Sequence, residues 1–259
     1  MEQLKYYLGA TLLSPLFPMM YWQGVQIQKN IPDLPNASKP QGKASHVEAK
    51  ITKKIIIIGE STMAGVGVQQ HIQGFAGHFA ARMATKYFAA IEWKVFAISG
   101  MTARELRQDI LPKIAQQKAD LIVVGTGAND AFKLRAPQQF IREIKKLVED
   151  IEGRFPNTPM AFLNMPPIRS FPAFTPLIQF TLGNLVEMYG DALVPLFEPK
   201  ANIYYSNRKL SLVDWAERHQ VPMDVELFFS DGVHPSGLTY QLWAEDFVQF
   251  LLTTDLWKS

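Results

Sequence analysis

The sequence contains no cysteine among its 259 residues. Disulfide bonds, thiolate nucleophiles and cysteine-based zinc sites are therefore excluded, although the absence does not identify a compartment. The chain also lacks a long run of charge of one sign, because 26 basic and 24 acidic residues leave a net charge of only +2. Nucleic acid binding is not indicated, and no motif predicts a nucleotide, a metal or another cofactor.

A hydrophobic run long enough for an ordinary membrane span is also missing. Residues 6–22 carry no charge, but Pro15 and Pro18 interrupt a stretch that is shorter than the roughly 20 apolar residues of a spanning helix. Lysines dominate the charge of the following region, which favours the cytoplasmic side. We expect this segment to lie on or in a membrane facing the cytoplasm. There are two alternatives. In one the segment directs export, to the periplasm for example, with or without cleavage, and in the other it folds onto the protein's own surface.

The composition divides the chain into three parts. Residues 1–28 form a hydrophobic N-terminal segment that is membrane-associated or signal-like. Residues 29–50 mix proline, serine, glycine and lysine, which is typical of a linker. Residues 51–259 are predicted to form one globular domain, since 47% hydrophobic and 19% charged residues suit a chain that buries a substantial core.

Strand-like and helix-like segments alternate within this domain. The run IIIIG at residues 55–59 is short, β-branched and apolar, which is typical of a strand covered on both faces in a parallel sheet. Apolar residues recur at helical spacing over residues 137–152. The alternation predicts a doubly wound parallel sheet between two helical layers. Further helices are predicted at 74–88, 103–116 and 238–252, with helical pieces in 175–217, and further strands at 93–98, 119–125, 160–164 and 202–205.

Three candidate functional residues follow three of the predicted strands. Ser61 lies in GESTMAG after the first, Gly100 follows the second, and Asn129 lies in GTGAND after the third. Ligands collect beyond the carboxyl ends of the strands in such sheets, so we expect these residues to meet. A serine can act as a nucleophile, an asparagine amide donates hydrogen bonds, and a glycine lets a substrate approach the backbone. Singly, each is equally typical of a turn or helix cap.

A base and a residue to orient it occur near the end of the chain. Asp231 and His234 are three residues apart in SDGVHPSG, a loop that can turn an imidazole toward a carboxylate on one side and a serine on the other. The other histidines have no acidic residue three positions before them and are expected to be solvated surface groups. They are His46, His71, His78 and His219.

Taken in order, GES, Gly100, GAND and DGVHP resemble the four sequence blocks of the SGNH hydrolases, also called the GDSL family, over residues 51–252. The resemblance implies a three-layer α/β/α sandwich of flavodoxin-like type with a central parallel sheet of about five strands. The family usually has Asp where this chain has Glu60. Because that position is outside the triad, the departure bears on loop geometry more than on catalysis.

The same resemblance implies a serine esterase or lipase. Ser61 would be the nucleophile, His234 would take its proton, and Asp231 would orient the histidine. An oxyanion hole would stabilise the charge that develops on the attacked carbonyl. Its implied donors are the N–H groups of Ser61 and Gly100 and the side chain of Asn129.

The substrate is indicated less directly. Residues 165–183, MPPIRSFPAFTPLIQFTLG, predict either an apolar groove for an acyl chain or buried core above the sheet. Together with residues 6–22 they favour a lipid-like ester or thioester. A carbohydrate or small-ester O-deacetylase would use the same residues. A non-catalytic, membrane-tethered binding protein is the alternative of another class, against which the complete set of four blocks speaks.

Overall fold

A six-stranded sheet forms the centre of the structure, a computed structural model that describes residues 2–115 and 118–257. The strands are β1 (Gln41–Ser45), β2 (Ile51–Gly59), β3 (Ala89–Ala97), β4 (Leu121–Gly125), β5 (Met160–Phe162) and β6 (Ile203–Tyr205). Their order is β1-β3-β2-β4-β5-β6, in which β2 to β6 are parallel and β1 is antiparallel to β3. The three-layer α/β/α sandwich is confirmed, with a mixed sheet of one more strand than the predicted five.

Burial explains why β2 and β4 lie in the middle of the sheet. Residues 55–58 of β2 are at most 3% exposed, and residues 121–124 of β4 are fully buried. Such apolar, β-branched runs suit strands whose two faces are both covered by helices. In the parallel register Gly59 lies opposite Gly125, so the residues after β2 and β4 emerge at the same edge of the sheet.

The additional strand, β1, lies within residues 29–50, so the linker prediction is wrong for its five residues. Its sequence QGKAS alternates between exposed and partly buried positions without a hydrophobic alternation, and the sequence therefore gives no strand signal. An edge strand needs only one neighbour, and β1 obtains it by pairing with β3. Gly42 fits there because its missing side chain leaves room for the ring of Trp93. The sheet therefore begins before the predicted domain start at Ile51.

Residues 37–38 are also part of the fold, because they cross the turn that follows β2. The N–H of Ala37 donates to Ala64 O at 2.9 Å, and the N–H of Ser38 donates to Gln69 O at 2.9 Å. The carbonyl of Ser38 accepts a hydrogen bond from His71 N at 3.0 Å. Residues 37–38, which we call the crossing strap, are thus hydrogen-bonded to both ends of the segment 64–71.

Helices cover the two faces of the sheet. They are α1 (Glu2–Leu13), α2 (Phe17–Asn30), α3 (Phe75–Tyr87), α4 (Ala103–Glu105), α5 (Ala128–Phe132), α6 (Pro137–Arg154), α7 (Pro176–Phe197), α8 (Leu212–His219), α9 (Val225–Phe228) and α10 (Gly237–Leu252). α10 packs against α3 and is joined to α8 by Trp215 Nε1, which donates to Asp246 at 2.7 Å, whereas α6 packs against α7 and α4. The predicted helices 74–88, 137–152 and 238–252 correspond to α3, α6 and α10.

The helix predicted over 103–116 is broken. After α4 the chain forms a π-helical turn at Leu106–Ile110 and a 3₁₀ turn at Leu111–Lys113. Pro112 has no N–H to donate to the preceding turn, which explains why a regular α-helix does not continue through it. Gln116, the predicted end of this helix, lies outside the described residues, as do the outer ends of the predicted ranges 1–28 and 51–259.

The N-terminal segment forms α1 and α2 and lies against the domain. Tyr6 Oη donates to Leu134 O at 2.8 Å, Thr175 Oγ1 donates to Gln23 Oε1 at 2.8 Å, and Met20 is buried. Both helices contact α7, and α1 also contacts α6. None of the helices within residues 2–115 and 118–257 has the length and apolarity needed to cross a membrane.

His71 is buried, so the prediction that it is a solvated surface group is wrong. Only 3% of it is exposed, and its ring lies beside Gly65 and 6.3 Å from the ring of Trp93. Its Nδ1 has no hydrogen-bond partner among the described residues. Burial disfavours the charged imidazolium and lowers the pKa of His71 to about 4.

We expect this histidine to make the fold sensitive to mild acid. The unfolded chain binds a proton near pH 6.5, whereas the native imidazole does so only near pH 4. The stability that the neutral imidazole confers is therefore lost as the pH falls through this window, by about 3 kcal/mol at most. Urea unfolding of the wild type and of His71→Gln across this range would measure the difference. Parallel pH profiles would contradict the assignment.

Candidate functional site

Ser61 lies just beyond the carboxyl end of β2, in a series of tight turns. Ala64 N donates to Glu60 O at 2.8 Å and Val66 N donates to Ser61 O at 3.1 Å, which fixes the backbone around the serine. Ser61 itself is partly exposed. Among the described residues, neither its N–H nor its Oγ forms a hydrogen bond. Both groups are thus available to a ligand, as a nucleophile and an oxyanion donor require.

Asp231 and His234 form the predicted pair. His234 Nδ1 lies 2.7 Å from Asp231 Oδ2, and Asp231 Oδ1 accepts the N–H groups of Val233 at 2.9 Å and His234 at 2.7 Å. Burial alone would raise the pKa of Asp231, but the hydrogen bonds from His234 and Val233 outweigh it and lower the pKa below its ordinary value. Asp231 is therefore an anion at neutral pH that can orient the imidazole and stabilise its protonated form.

The loop that holds this pair packs on the turn that follows Ser61. Ser230 Oγ donates to Gly67 O at 3.1 Å, and Tyr240 Oη, from the helix after the loop, donates to Val66 O at 2.7 Å. Gly67 has a φ of 102°, and a side chain there would collide with Ser230. No hydrogen bond joins Ser61 to His234 in this structure. Catalytic hydrogen bonds are often long in ligand-free enzymes and tighten when the substrate binds.

Asn129 connects the loops that contain the other candidate residues. It stands at the start of α5, after Gly127 with a φ of 132°. Its Nδ2 donates to Glu60 Oε2 at 2.7 Å and to Met101 O at 3.2 Å. The side chain thereby joins the neighbour of Ser61 to the neighbour of Gly100, so the loops after β2, β3 and β4 meet as predicted. Because both amide hydrogens are engaged, an oxyanion would have to displace Met101 O, the more distant acceptor.

Glu60 holds the backbone and the side chain of Asn129 in place. The residue is 4% exposed, and its carboxylate accepts the N–H of Ala128 at 2.9 Å, the N–H of Asn129 at 3.1 Å and the Asn129 amide. Burial raises the pKa of Glu60 to about 7, against the opposing effect of these hydrogen bonds. The sequence identified Glu60 only as a departure from the usual Asp. Its position directly after a fully buried strand was the available signal that its side chain is buried too.

Gly100 offers an accessible backbone donor at the same edge. Its φ of 83° lies in the region that favours glycine, it is exposed, and no atom lies within 4 Å of where a Cβ would stand. Its N–H donates to no acceptor among the described residues.

The loop that follows Gly100 is held by Asp130, which was not predicted from the sequence. This buried carboxylate accepts Ala103 N at 2.8 Å and pairs with Arg135 at 3.2 Å.

The predicted groove over residues 165–183 is divided between core and cavity. Phe171 and Ile178 are buried, as the core alternative expects. Other residues of the stretch line a cavity of about 560 Å³ beyond the ends of β5 and β6. Arg169 and Lys209 pair with Glu187 at its polar side. None of Ser61, Asp231 and His234 lines this cavity, whose apolar wall includes Met165, Pro167, Ile168, Val186, Leu210 and Val213.

The remaining histidines do not join the site. His78 is partly buried, and His219 Nε2 lies 3.7 Å from Asp246 Oδ1 on α10. The ring of His46 lies 4.8 Å from that of Phe88, near the β1–β2 connection. Across the part of the chain that the structure describes, no three His, Asp or Glu side chains are grouped so that they could bind a metal ion.

If Asn129 is an oxyanion donor, Asn129→Ala is expected to lower turnover on the order of a hundredfold, the usual cost of removing one such donor. The measurement is kcat for a soluble p-nitrophenyl ester. The change should appear in kcat with little change in KM, because the donor acts on charge that develops in the transition state. Asn184→Ala, which changes a partly exposed asparagine of α7, is the matched control. An undiminished kcat would exclude the oxyanion role.

Comparisons with known proteins identify the family and the fold. Residues 57–242 match the model of the GDSL-like Lipase/Acylhydrolase family. No curated protein matches the sequence at a significant level. Among solved structures, a member of the lipolytic G-D-S-L family from Veillonella parvula is 16% identical, with a TM-score of 0.57 over 76% of this chain and 97% of that one.

Two further structures have the same fold. The lipase/acylhydrolase from Enterococcus faecalis is 17% identical, with a TM-score of 0.54 over 80% of this chain and 100% of its own. The psychrotrophic esterase EstA from Pseudoalteromonas sp. is 16% identical, with a TM-score of 0.54 over 78% of this chain and 100% of its own. At these identities the likeness concerns the fold.

Proposed function

Because this chain belongs to the GDSL-like lipase/acylhydrolase family and is a hydrolase acting on esters, we propose that it cleaves lipid-like esters or thioesters with Ser61 as nucleophile. The observation that supports this most is the pair of Asp231 and His234, 2.7 Å apart, on a loop bonded to the Ser61 turn. Acyl transfer needs an orienting carboxylate, an imidazole and an accessible serine, and Ser61 has no hydrogen-bond partner in the described part of the chain.

In this mechanism Ser61 Oγ attacks the carbonyl carbon while His234 Nε2 takes its proton. Asp231 keeps Nδ1 protonated and stabilises the imidazolium. The imidazolium then protonates the leaving alcohol or thiol as its bond to the carbonyl carbon breaks, which leaves an acyl group on Ser61. Water, deprotonated by the neutral His234, attacks the acyl carbon. The bond from that carbon to Ser61 Oγ then breaks, His234 returns the proton to Oγ, and the acid is released.

The charge on the carbonyl oxygen would be met by three donors. The N–H groups of Ser61 and Gly100 have no acceptor within residues 2–115 and 118–257, and the Asn129 amide would join them by giving up its hydrogen bond to Met101 O. Glu60 would keep that amide in place through its second hydrogen bond at 2.7 Å. Preorganised donors of this kind supply a large share of the rate enhancement in acyl transfer.

The lipid-like substrate is supported by the apolar surroundings of this edge. Phe132 is 39% exposed and its ring lies 5.9 Å from that of Phe174, which in turn contacts Phe171. These rings stand between α5, which contains Asn129, and the loop that holds Asp231 and His234. Ala173 N donates to Gly232 O of that loop at 3.2 Å. The acyl chain of a substrate, which extends from the carbonyl carbon that Ser61 attacks, would pack on these rings.

A fluorophosphonate probe tests the nucleophile without knowledge of the substrate. Labelling of the wild type and of Ser99→Ala, but not of Ser61→Ala, is expected, since Ser99 is an exposed serine beside Gly100 at the same edge. Labelling that persists in Ser61→Ala would assign the nucleophile elsewhere, and an unlabelled wild type would favour a non-catalytic binding protein.

Chain length distinguishes the substrate classes. We expect kcat/KM for p-nitrophenyl esters to rise from acetate to medium and long acyl chains. A preference for acetate would instead favour the O-deacetylase alternative, and equal rates across the series would remove the support for a lipid-like substrate.

A further inference from the structure

Several large apolar side chains face solvent on the N-terminal helices. The set, which we call the N-terminal apolar face, is between 38% and 78% exposed. No Asp, Glu, Lys or Arg occurs between Lys5 and Lys29. Exposed apolar patches of this kind mark interaction sites rather than ordinary surface. The face consists of Tyr7, Leu8, Leu12, Leu16, Met19, Tyr21 and Trp22.

The opposite side of the same helices is attached to the domain. Tyr6 is bonded to Leu134 O, Gln23 accepts from Thr175, and Met20 is buried with Thr181 Oγ1 at 3.9 Å from its sulfur. The segment therefore packs some of its apolar side chains, such as Met20, on the domain, while the N-terminal apolar face points to solvent.

Two hydroxyls among these apolar residues form their hydrogen bonds within the segment itself. Thr11 Oγ1 donates to Tyr7 O at 2.8 Å, and Ser14 Oγ donates to Thr11 O at 2.9 Å. A protein partner usually adds hydrogen bonds and rim charges to its apolar contacts. Hydroxyls that bond back to their own helix are instead what a lipid environment requires.

The face also has the residue types of a membrane interface. Trp22 and Tyr21 are 62% and 76% exposed, and their rings combine an apolar body with a polar tip that suits the headgroup level. Lys29 and Lys39, both exposed, follow the face and complement anionic headgroups. No described helix is long and apolar enough to span, so the fitting arrangement lies in the interfacial plane.

The segment contacts the parts of the domain that border the candidate site. Leu134, which α1 contacts through Tyr6, follows α5, the helix that contains Asn129. Thr175, its contact with α2, follows Ala173, whose N–H donates to Gly232 O between Asp231 and His234. A surface on which this face rests would thus adjoin the edge where Ser61 is exposed.

We propose that the N-terminal apolar face docks peripherally on the surface of a phospholipid bilayer that contains anionic lipid, and that this docking presents the candidate site to esters in that bilayer. The second half of the proposal rests on the proposed function. The basic flank assigns the docked protein to the cytoplasmic leaflet, whose lipids are the more anionic.

Vesicle flotation tests the docking separately from catalysis. The full chain should float with phosphatidylcholine vesicles that contain phosphatidylglycerol, and more weakly with phosphatidylcholine alone. The double variant Leu12→Glu/Trp22→Glu should bind at least tenfold more weakly, because two charges enter the interface. Val47→Glu, at a residue 97% exposed in the β1–β2 connection, is the matched control and should bind like the wild type.

Ser61→Ala should float like the wild type, because docking does not require ester hydrolysis. The flotation result therefore tests docking even if the proposed function is wrong. Circular dichroism checks that the double variant is folded. Docking is overturned if the wild type does not float, or if the double variant floats equally well. It is also overturned if sedimentation shows a wild-type dimer that the double variant abolishes while vesicle binding is absent, because the face would then bind a second copy.

Discussion

Ser61→Ala is expected to lower kcat/KM for a soluble ester by a factor on the order of 10⁴ to 10⁶, the range seen when an acyl-transfer nucleophile is removed. What remains would come from the oxyanion donors and from substrate binding. The unfolding free energy should change by no more than about 0.5 kcal/mol, because the hydroxyl is partly exposed and makes no hydrogen bond within the described residues. Ester kinetics and thermal unfolding measure the two quantities.

Ser99→Ala is the control, as an exposed serine close to Gly100 whose loss should leave kcat/KM within twofold or so of the wild type. Retention of full activity in Ser61→Ala would remove the serine from the mechanism. A large loss of stability in the same variant would instead show that the hydroxyl has a structural role that this structure does not display.

Glu60→Ala is expected to have the largest effect on stability. It leaves the N–H groups of Ala128 and Asn129 and the Asn129 amide without their acceptor. An unsatisfied buried donor costs about 1–3 kcal/mol, so a loss of several kcal/mol follows together with a large drop in turnover. Urea unfolding and ester kinetics should be measured near pH 8, about one unit above the raised pKa, where the carboxylate is mostly ionised.

Two conservative variants separate charge from shape at this position. Glu60→Gln keeps the size but replaces one acceptor oxygen by a donor, so we expect losses close to those of the alanine variant. Glu60→Asp keeps both acceptors on a shorter stem and should retain more of both stability and turnover. If Glu60→Gln behaved like the wild type, the carboxylate would not be the group that holds Asn129.

The parts of the fold that follow from local pattern were predictable. Four consecutive isoleucines in β2 and the apolar run in β4 can be buried only in a sheet covered on both faces, which predicts the parallel core. The amphipathic spacing over 137–152 likewise predicts α6. β1 was not predictable, because its polar residues obtain their hydrogen bonds from a strand far along the chain.

The candidate site shows the same division. Spacing alone predicts that Asp231 can reach His234, and strand ends predict that the loops of Ser61, Gly100 and Asn129 meet. Which acceptor each donor uses depends on distances set by the whole sheet. The engagement of Asn129 by Glu60, and the burial of His71, therefore became visible only in three dimensions.

The crossing strap bears on how a minimal version of this enzyme should be designed. A fragment that starts at Ile51, where the composition changes, would lack the residues that form hydrogen bonds with Ala64, Gln69 and His71. It would also lack β1, which leaves the outer edge of β3 unpaired. Bared strand edges invite intermolecular pairing. A shortened chain meant to stay monomeric and active should therefore retain everything from Ala37 onward, even if both N-terminal helices are removed.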